Sequence, residues 1–361
     1  MIFRLEILMK LKIQVLAIAI ALVVCGNAFA QSSSSSGANF TKAGSDGGLV
    51  LKMPIGARAT AMGGAFSGLA NDLTSVYWNP AGVAALRDQD VDFEYAQSFG
   101  GISYDFVAAS MPISSQYNLA ASAAFLSFGD IPITTILAQD GTGATFTASD
   151  MVLGLTFAGN LTDKFSFGIS GKYVRTGFYT LAASGLAFDV GTLYKTDFNG
   201  MTFGLAISNL GTQEQYSGQA LLTPLSQIDP QSGNTLPSTT YPSVNASLPT
   251  NEFSLPLLFR AGIAIDVLQA ANVKDQKLNL AADFVTFSDN PENVMVGAEY
   301  WWQDFVALRA GYTFLNDEYN FSAGVGLKYE TGTFEGTINY AFNNTKDLGG
   351  LNRIGVSMDF K

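Results

Sequence analysis

Acid–base, nucleophilic and metal chemistry need side chains that this sequence largely withholds. It has no histidine, so Ser-His-Asp and Cys-His constellations and histidine-bound metals are excluded. Its one cysteine, Cys25, falls in a leader-like N-terminus, so the remaining chain has neither a thiolate nucleophile nor a disulfide. A Ser-Lys pair or a carboxylate dyad is compatible with the composition. Yet Asp150, Asp189 and Glu299 sit in or beside strand-like stretches without catalytic spacing. No phosphate-binding loop or calcium-loop pattern occurs, and Asp197-Phe198-Asn199-Gly200 reads as a tight hairpin turn. The expectation is a protein that is not an enzyme and uses no cofactor and no metal.

What remains is chemistry of contact. Residues 56–86, GARATAMGGAFSGLANDLTSVYWNPAGVAAL, are too broken by Gly, Asn and Pro for one long helix and too irregular for a membrane strand. Met62, Gly63 and Gly64 permit close packing. In Asn79-Pro80-Ala81-Gly82, Pro80 fixes its own φ, Asn79 is pushed out of the helical region, and Gly82 allows a tight bend. Two long connections carry apolar side chains that a merely solvated loop does not need. Residues 129–148 contain Ile131, Ile133 and Leu137. Residues 210–254 contain five prolines together with Leu221, Leu222, Leu225, Ile228 and Tyr241. Such loops either grip a protein or the headpiece of a lipid-like ligand, or fold over the site as a cover.

The elements that position these residues are strands. Tyr319, Phe321, Ala323, Val325, Leu327 and Tyr329 alternate with Asn320, Ser322, Gly324, Gly326 and Lys328. One face is apolar with Tyr at both ends, and the other is small or polar. The same period of two recurs in residues 165–174, 306–314 and 334–342. About fourteen such strands follow residue 89, each near the roughly 9–11 residues that cross a bilayer at a tilt. Lys172, Arg309, Lys328 and Glu335 all fall on the small, polar face. A Lys or Arg facing lipid at mid-bilayer costs about 2–4 kcal/mol. A soluble sandwich shares the alternation, but its outer face is normally richer in charge than this one. The pattern predicts an all-β transmembrane antiparallel barrel, with residues 56–86 inside it or against its mouth. The long connections follow the third and seventh strands, which puts both outside the cell if the chain ends lie in the periplasm.

Lys10 and Lys12, the apolar run from Ile13 to Val24, and Ala28-Phe29-Ala30 predict a signal peptide over residues 1–30, cleaved near Ala30. Removing Arg4, Lys10, Lys12 and Glu6 from 19 basic and 30 acidic residues leaves a net charge of −13. That balance argues against nucleic acid or an anionic membrane surface as partner. The Ser- and Gly-rich residues 31–48 read as a flexible linker, residues 49–55 as a short strand within a 49–88 plug segment, and residues 89–361 as the barrel.

Met62-Gly63-Gly64-Ala65-Phe66, Asn71-Asp72 and Val76-Tyr77-Trp78-Asn79-Pro80-Ala81-Gly82, placed before about fourteen strands, resemble the PorV/PorQ family of outer-membrane proteins. GLAFDV at 185–190 and GLAISNLG at 204–211 fit the same resemblance, which runs from about residue 45 to the end. The family is itself similar to the FadL long-chain fatty-acid transporters. The resemblance implies a FadL-like barrel in the Gram-negative outer membrane, with Asn79, Pro80, Ala81 and Gly82 in a hatch turn. It implies a role in type IX secretion, with secreted cargo or secretion-system subunits as partners beside outer-membrane lipid. A PorV-like shuttle and a PorQ-like attachment role both remain open. The FadL kinship leaves a second reading, transport of a hydrophobic ligand such as a fatty acid.

Overall fold

The computed structural model describes residues 44–198, 200–225, 244–269, 276–316, 319–346 and 349–361. Seven wall strands come first: β1 (Gln89–Gln97), β2 (Ser103–Pro112), β3 (Tyr117–Pro132), β4 (Thr145–Asn160), β5 (Phe165–Phe178), β6 (Leu181–Lys195) and β7 (Thr202–Gly211). Three short strands follow: β8 (Ser217–Gly218), β9 (Leu222–Leu225) and β10 (Val244–Ser247). Seven more wall strands complete the chain: β11 (Leu258–Asp266), β12 (Gln276–Phe287), β13 (Asn293–Trp302), β14 (Val306–Phe314), β15 (Tyr319–Glu330), β16 (Phe334–Thr345) and β17 (Gly349–Phe360). Each wall strand pairs antiparallel with its neighbours. β1 pairs with β17, from Gln89 opposite Phe360, and β7 pairs with β11, so the wall is a closed barrel of fourteen strands. Closure removes the edges of the wall, which a bilayer without hydrogen-bonding solvent demands.

The burial pattern is inverted relative to a soluble protein. Leu155, Leu186, Leu205, Leu308, Val325, Leu327 and Ile338 are exposed on the outer face. Arg260, Asp283, Glu299, Arg309 and Arg353 are buried inside. Lys172 pairs with Asp189, and Lys328 with Glu335, so the charges expected on the polar face lie inward and compensated. This is the arrangement of a wall solvated by lipid outside and by its own polar side chains within.

The connections alternate between the two ends of the barrel. At one end, which also carries the start of β1 and the end of β17, they are the short turns 113–116, 161–164, 196–201, 303–305 and 331–333, with 267–275 longer. At the other end lie the two longest, 133–144 and 212–257, together with the short links 98–102, 179–180, 288–292, 315–318 and 346–348. The loop expected over 129–148 is shorter because β3 and β4 keep pairing as far as Pro132 opposite Thr145, with a bulge between Ser127 and Asp130. The loop expected over 210–254 is not structureless: β8 adds to β6, and β9 pairs with β10.

Residues 49–86 fold as short pieces within the barrel: a 3₁₀ turn (Leu49–Lys52), helix α1 (Ala57–Ala61), helix α2 (Ser75–Trp78) and a second 3₁₀ stretch (Pro80–Ala85). The short strand expected at 49–55 is thus a helical turn. Its apolar Val50 and Leu51 are buried against the wall. Of the linker expected over 31–48, only residues 44–48 are described. Gly47 N donates to Ser254 O at 2.9 Å, and Gly48 is buried.

Candidate functional site

A segment of short helical pieces leaves many backbone groups unpaired, and in a lumen these must be satisfied by the wall. The inward side chains do this one by one. Glu94 of β1 accepts from Ala57 N at the start of α1, at 2.9 Å. Asp283 of β12 accepts from Phe66 N, Ser67 N and Ser67 Oγ at 3.1, 2.8 and 2.6 Å. Arg353 of β17 donates to Pro54 O at 2.6 Å, and Asn343 of β16 to Thr60 O at 2.8 Å. Asn118 of β3 donates to Val83 O and Leu86 O, both at 2.8 Å. Arg260 of β11 donates to Tyr77 O at 3.0 Å, and its guanidinium lies 4.7 and 4.6 Å from the Tyr77 and Trp78 ring centroids.

One ion-pair cluster joins segment and wall. Arg58 of α1 meets Glu299 of β13 with both ends of its fork, Nε to Oε2 and Nη2 to Oε1 at 2.8 Å each. Arg309 of β14 donates Nε to the same Oε2 at 2.7 Å and Nη1 to Asn339 at 2.8 Å. Asn279 donates to Glu299 Oε1 at 3.0 Å, while Arg58 also reaches Asn71 and Asp72. Bidentate, charge-assisted geometry of this kind fixes orientation as well as energy.

The expected turn residues take part in the same seating. Asn79 is extended, as a residue before proline must be, and its Oδ1 accepts from Ala81 N at 3.1 Å. Its Nδ2 donates to Ser67 O and to Thr192 O of β6. Pro80 opens the 3₁₀ stretch, where its missing N–H costs nothing. Behind it stand wall glycines paired across strands, Gly168 opposite Gly191, and neither leaves room for a Cβ against Asn79 and Pro80. Gly297 and Gly311, opposite one another in β13 and β14, do the same beneath Met62 and Gly63. Gly63 and Gly64 have positive φ, and a Cβ on Gly63 would lie 2.9 Å from Tyr312 N. Met62, Ala81 and Gly82 are buried.

Among the described residues, two small apolar cavities lie between segment and wall. One, of about 50 Å³, is lined by Gly63, Gly64, Trp78, Met295 and Phe321. The other, of about 30 Å³, lies among Val50, Ile55, Tyr77 and Phe106. Pockets for drug-sized ligands run to roughly 300–1,000 Å³. A larger cavity of about 370 Å³ opens at the short-turn end, between Arg58, Asp72, Asp90, Lys328, Glu335 and Asp359. It is polar.

At the long-loop end the expected contact residues separate. Ile131 and Ile133 are half-buried on the β3–β4 hairpin, whereas Ile136 and Leu137 at its tip are 91% and 99% exposed. Leu221 is half-buried and Leu222 exposed at the start of the β9–β10 arm, and Leu225 pairs through its backbone with Val244. Ile228 and Tyr241 lie outside the described residues. The structure brings the turn and glycine residues together in the lumen. Sequence reading missed Glu94, Arg260, Asp283 and Arg353. Their only signal was a charged residue at an inward position of an otherwise apolar strand.

Comparison with known proteins agrees with this architecture. The barrel is similar to the CymD monoaromatic hydrocarbon channel, with TM-score 0.54 and 12% identity over 85% of this chain and 97% of that one. It is equally similar to the Pseudomonas putida toluene transporter TodX, with TM-score 0.55 and 14% identity over 84% and 96%. At such identity the likeness is one of fold. No curated protein matches by sequence. The family described as type IX secretion system protein PorV matches residues 45–225, just over half of the chain. The chain belongs to the PorV family, and its barrel is one of the outer-membrane barrels associated with type IX secretion.

Proposed function

We propose that this protein is a plugged outer-membrane platform that holds secreted proteins or secretion-machinery subunits through its long-loop end. In this reading residues 1–30 direct export and are removed near Ala30, the long-loop end faces the cell exterior, and residues 49–88 serve as a resident plug. The observation that carries it is a contrast between the two ends of the lumen. The lumen segment is bonded to the wall throughout, while Ile136 and Leu137 stand almost fully exposed at the loop end. Two large aliphatic side chains held in water at a hairpin tip suit capture of an apolar protein surface. A PorV-like shuttle and a PorQ-like holder make the same use of this end.

Transport of a hydrophobic small molecule is the second reading. It is favoured by the wall beside β14, where the β14–β15 ladder ends at Tyr312 opposite Phe321 and the 50 Å³ cavity begins. The names of CymD and TodX point the same way. Affinity extraction in mild detergent, followed by mass spectrometry, separates the two. Secretion-system subunits or cargo that vanish when residues 134–140 are deleted support the platform. A barrel recovered alone with stoichiometric fatty-acid-like ligand supports transport instead.

A further inference from the structure

The direction in which the chain passes through the barrel follows from the contacts at its two ends. At the long-loop end, Gly47 N bonds to Ser254 O, Asp46 accepts from Ser288 Oγ, and Lys52 pairs with Asp289. Ser254 closes the 212–257 connection, and Ser288 and Asp289 lie in the link between β12 and β13. At the short-turn end, Leu86 O accepts from Asn118 near the start of β3, and Arg87 donates to Ser115 O. Residues 47–87 therefore cross the barrel from its long-loop mouth to its short-turn mouth before the first wall strand begins.

We propose that the chain enters this barrel from the cell exterior, so that Gly44–Gly48 lie at its outer mouth. This rests on the reading that the long-loop end faces outward. The result is a short arm, residues 44–48, beside the legs of the longest loop, within reach of a protein partner that never enters the membrane. The arm is latched to the loop rather than merely adjacent. Residues 46–48 bridge the 250–256 leg and the β12–β13 link, and Leu255 and Leu51 both lie close to Gly48. A partner that binds the loop thereby also holds the segment leading into the lumen.

Cys25 is the chain's single cysteine, so a Cys25→Ala background permits clean labelling at one site at a time. Ser45→Cys reports the entry, Glu252→Cys the long loop and Ser115→Cys the opposite turn. All three positions are exposed. Intact cells are treated with a membrane-impermeant maleimide and compared with lysed cells. The expected result is labelling of Ser45→Cys and Glu252→Cys in intact cells, with Ser115→Cys labelled only after lysis. Labelling of Glu252→Cys without Ser45→Cys overturns the entry route while leaving the barrel's orientation intact. Labelling of Ser115→Cys alone in intact cells overturns the orientation and, with it, the surface arm.

Discussion

Glu299 is the hinge of the ion-pair cluster, and its replacement tests whether the lumen segment is held by charge. Both Arg58 Nε and Arg309 Nε donate to its Oε2, at 2.8 and 2.7 Å, and its side chain is fully buried. Glu299→Gln keeps the shape but leaves two guanidinium groups facing a neutral amide. Removing one partner of a buried pair costs about 3–5 kcal/mol, because the charge left behind stays desolvated. Arg58→Met is milder. Glu299 retains Arg309 and Asn279, and what is lost is a charge-assisted contact of about 1.5–3 kcal/mol. With the two changes combined, the second removes an interaction already gone, so the double variant falls short of the sum by about 1–3 kcal/mol. The assay is urea unfolding of the reconstituted barrel, followed by tryptophan fluorescence. Trp78 sits in the segment and Trp301 lies 5.5 Å from Arg309, so both regions report. A Glu299→Gln variant within about 0.5 kcal/mol of wild type, or strict additivity in the double variant, refutes the reasoning.

Other consequences are as direct. Gly168→Val places side-chain atoms where Pro80 now sits. We expect a loss of about 1–3 kcal/mol and a rise in planar-bilayer conductance as the turn is displaced, whereas wild-type conductance with wild-type stability contradicts the seating. Glu214, in the leg of the long loop that bridges to Phe253, has its pKa raised from 4.5 to about 7, first by burial and then by the nearby Asp150 charge. The folded loop then binds that proton more tightly than the open one, so its attachment is firmest below about pH 4.5 and weakens as pH rises through about 7. Protease nicking of the loop should rise over that window in wild type and stay flat in Glu214→Gln; equal pH dependence in both disproves the assignment.

The wall was legible in the sequence because lipid imposes a period of two. In β15, Phe321, Val325 and Leu327 face outward while Ser322 is buried, as the alternation alone requires. The ends of β3 and β4 were not legible, since pairing beyond the bilayer to Ile131 opposite Phe146 obeys hairpin geometry rather than solvent pattern. The Asn79-Pro80 turn could be read locally, because proline and the residue before it carry their own backbone limits. Its seating could not. Arg58 finds Glu299 241 residues away and Ser67 finds Asp283 216 away, and such pairs leave no mark within a sequence window. The wall glycines read as ordinary barrel glycines. Only the register that sets Gly168 against Gly191 shows that they make room for another stretch of the chain.

The central claim, capture of a protein partner at the long-loop end, is tested most directly at Leu137. A photo-crosslinking residue there, irradiated in intact cells with active secretion, should yield a discrete adduct with another protein, and the same residue at Ser115 should not yield that adduct. An irradiated Leu137 variant that is folded and surface-exposed yet gives no protein adduct contradicts the account.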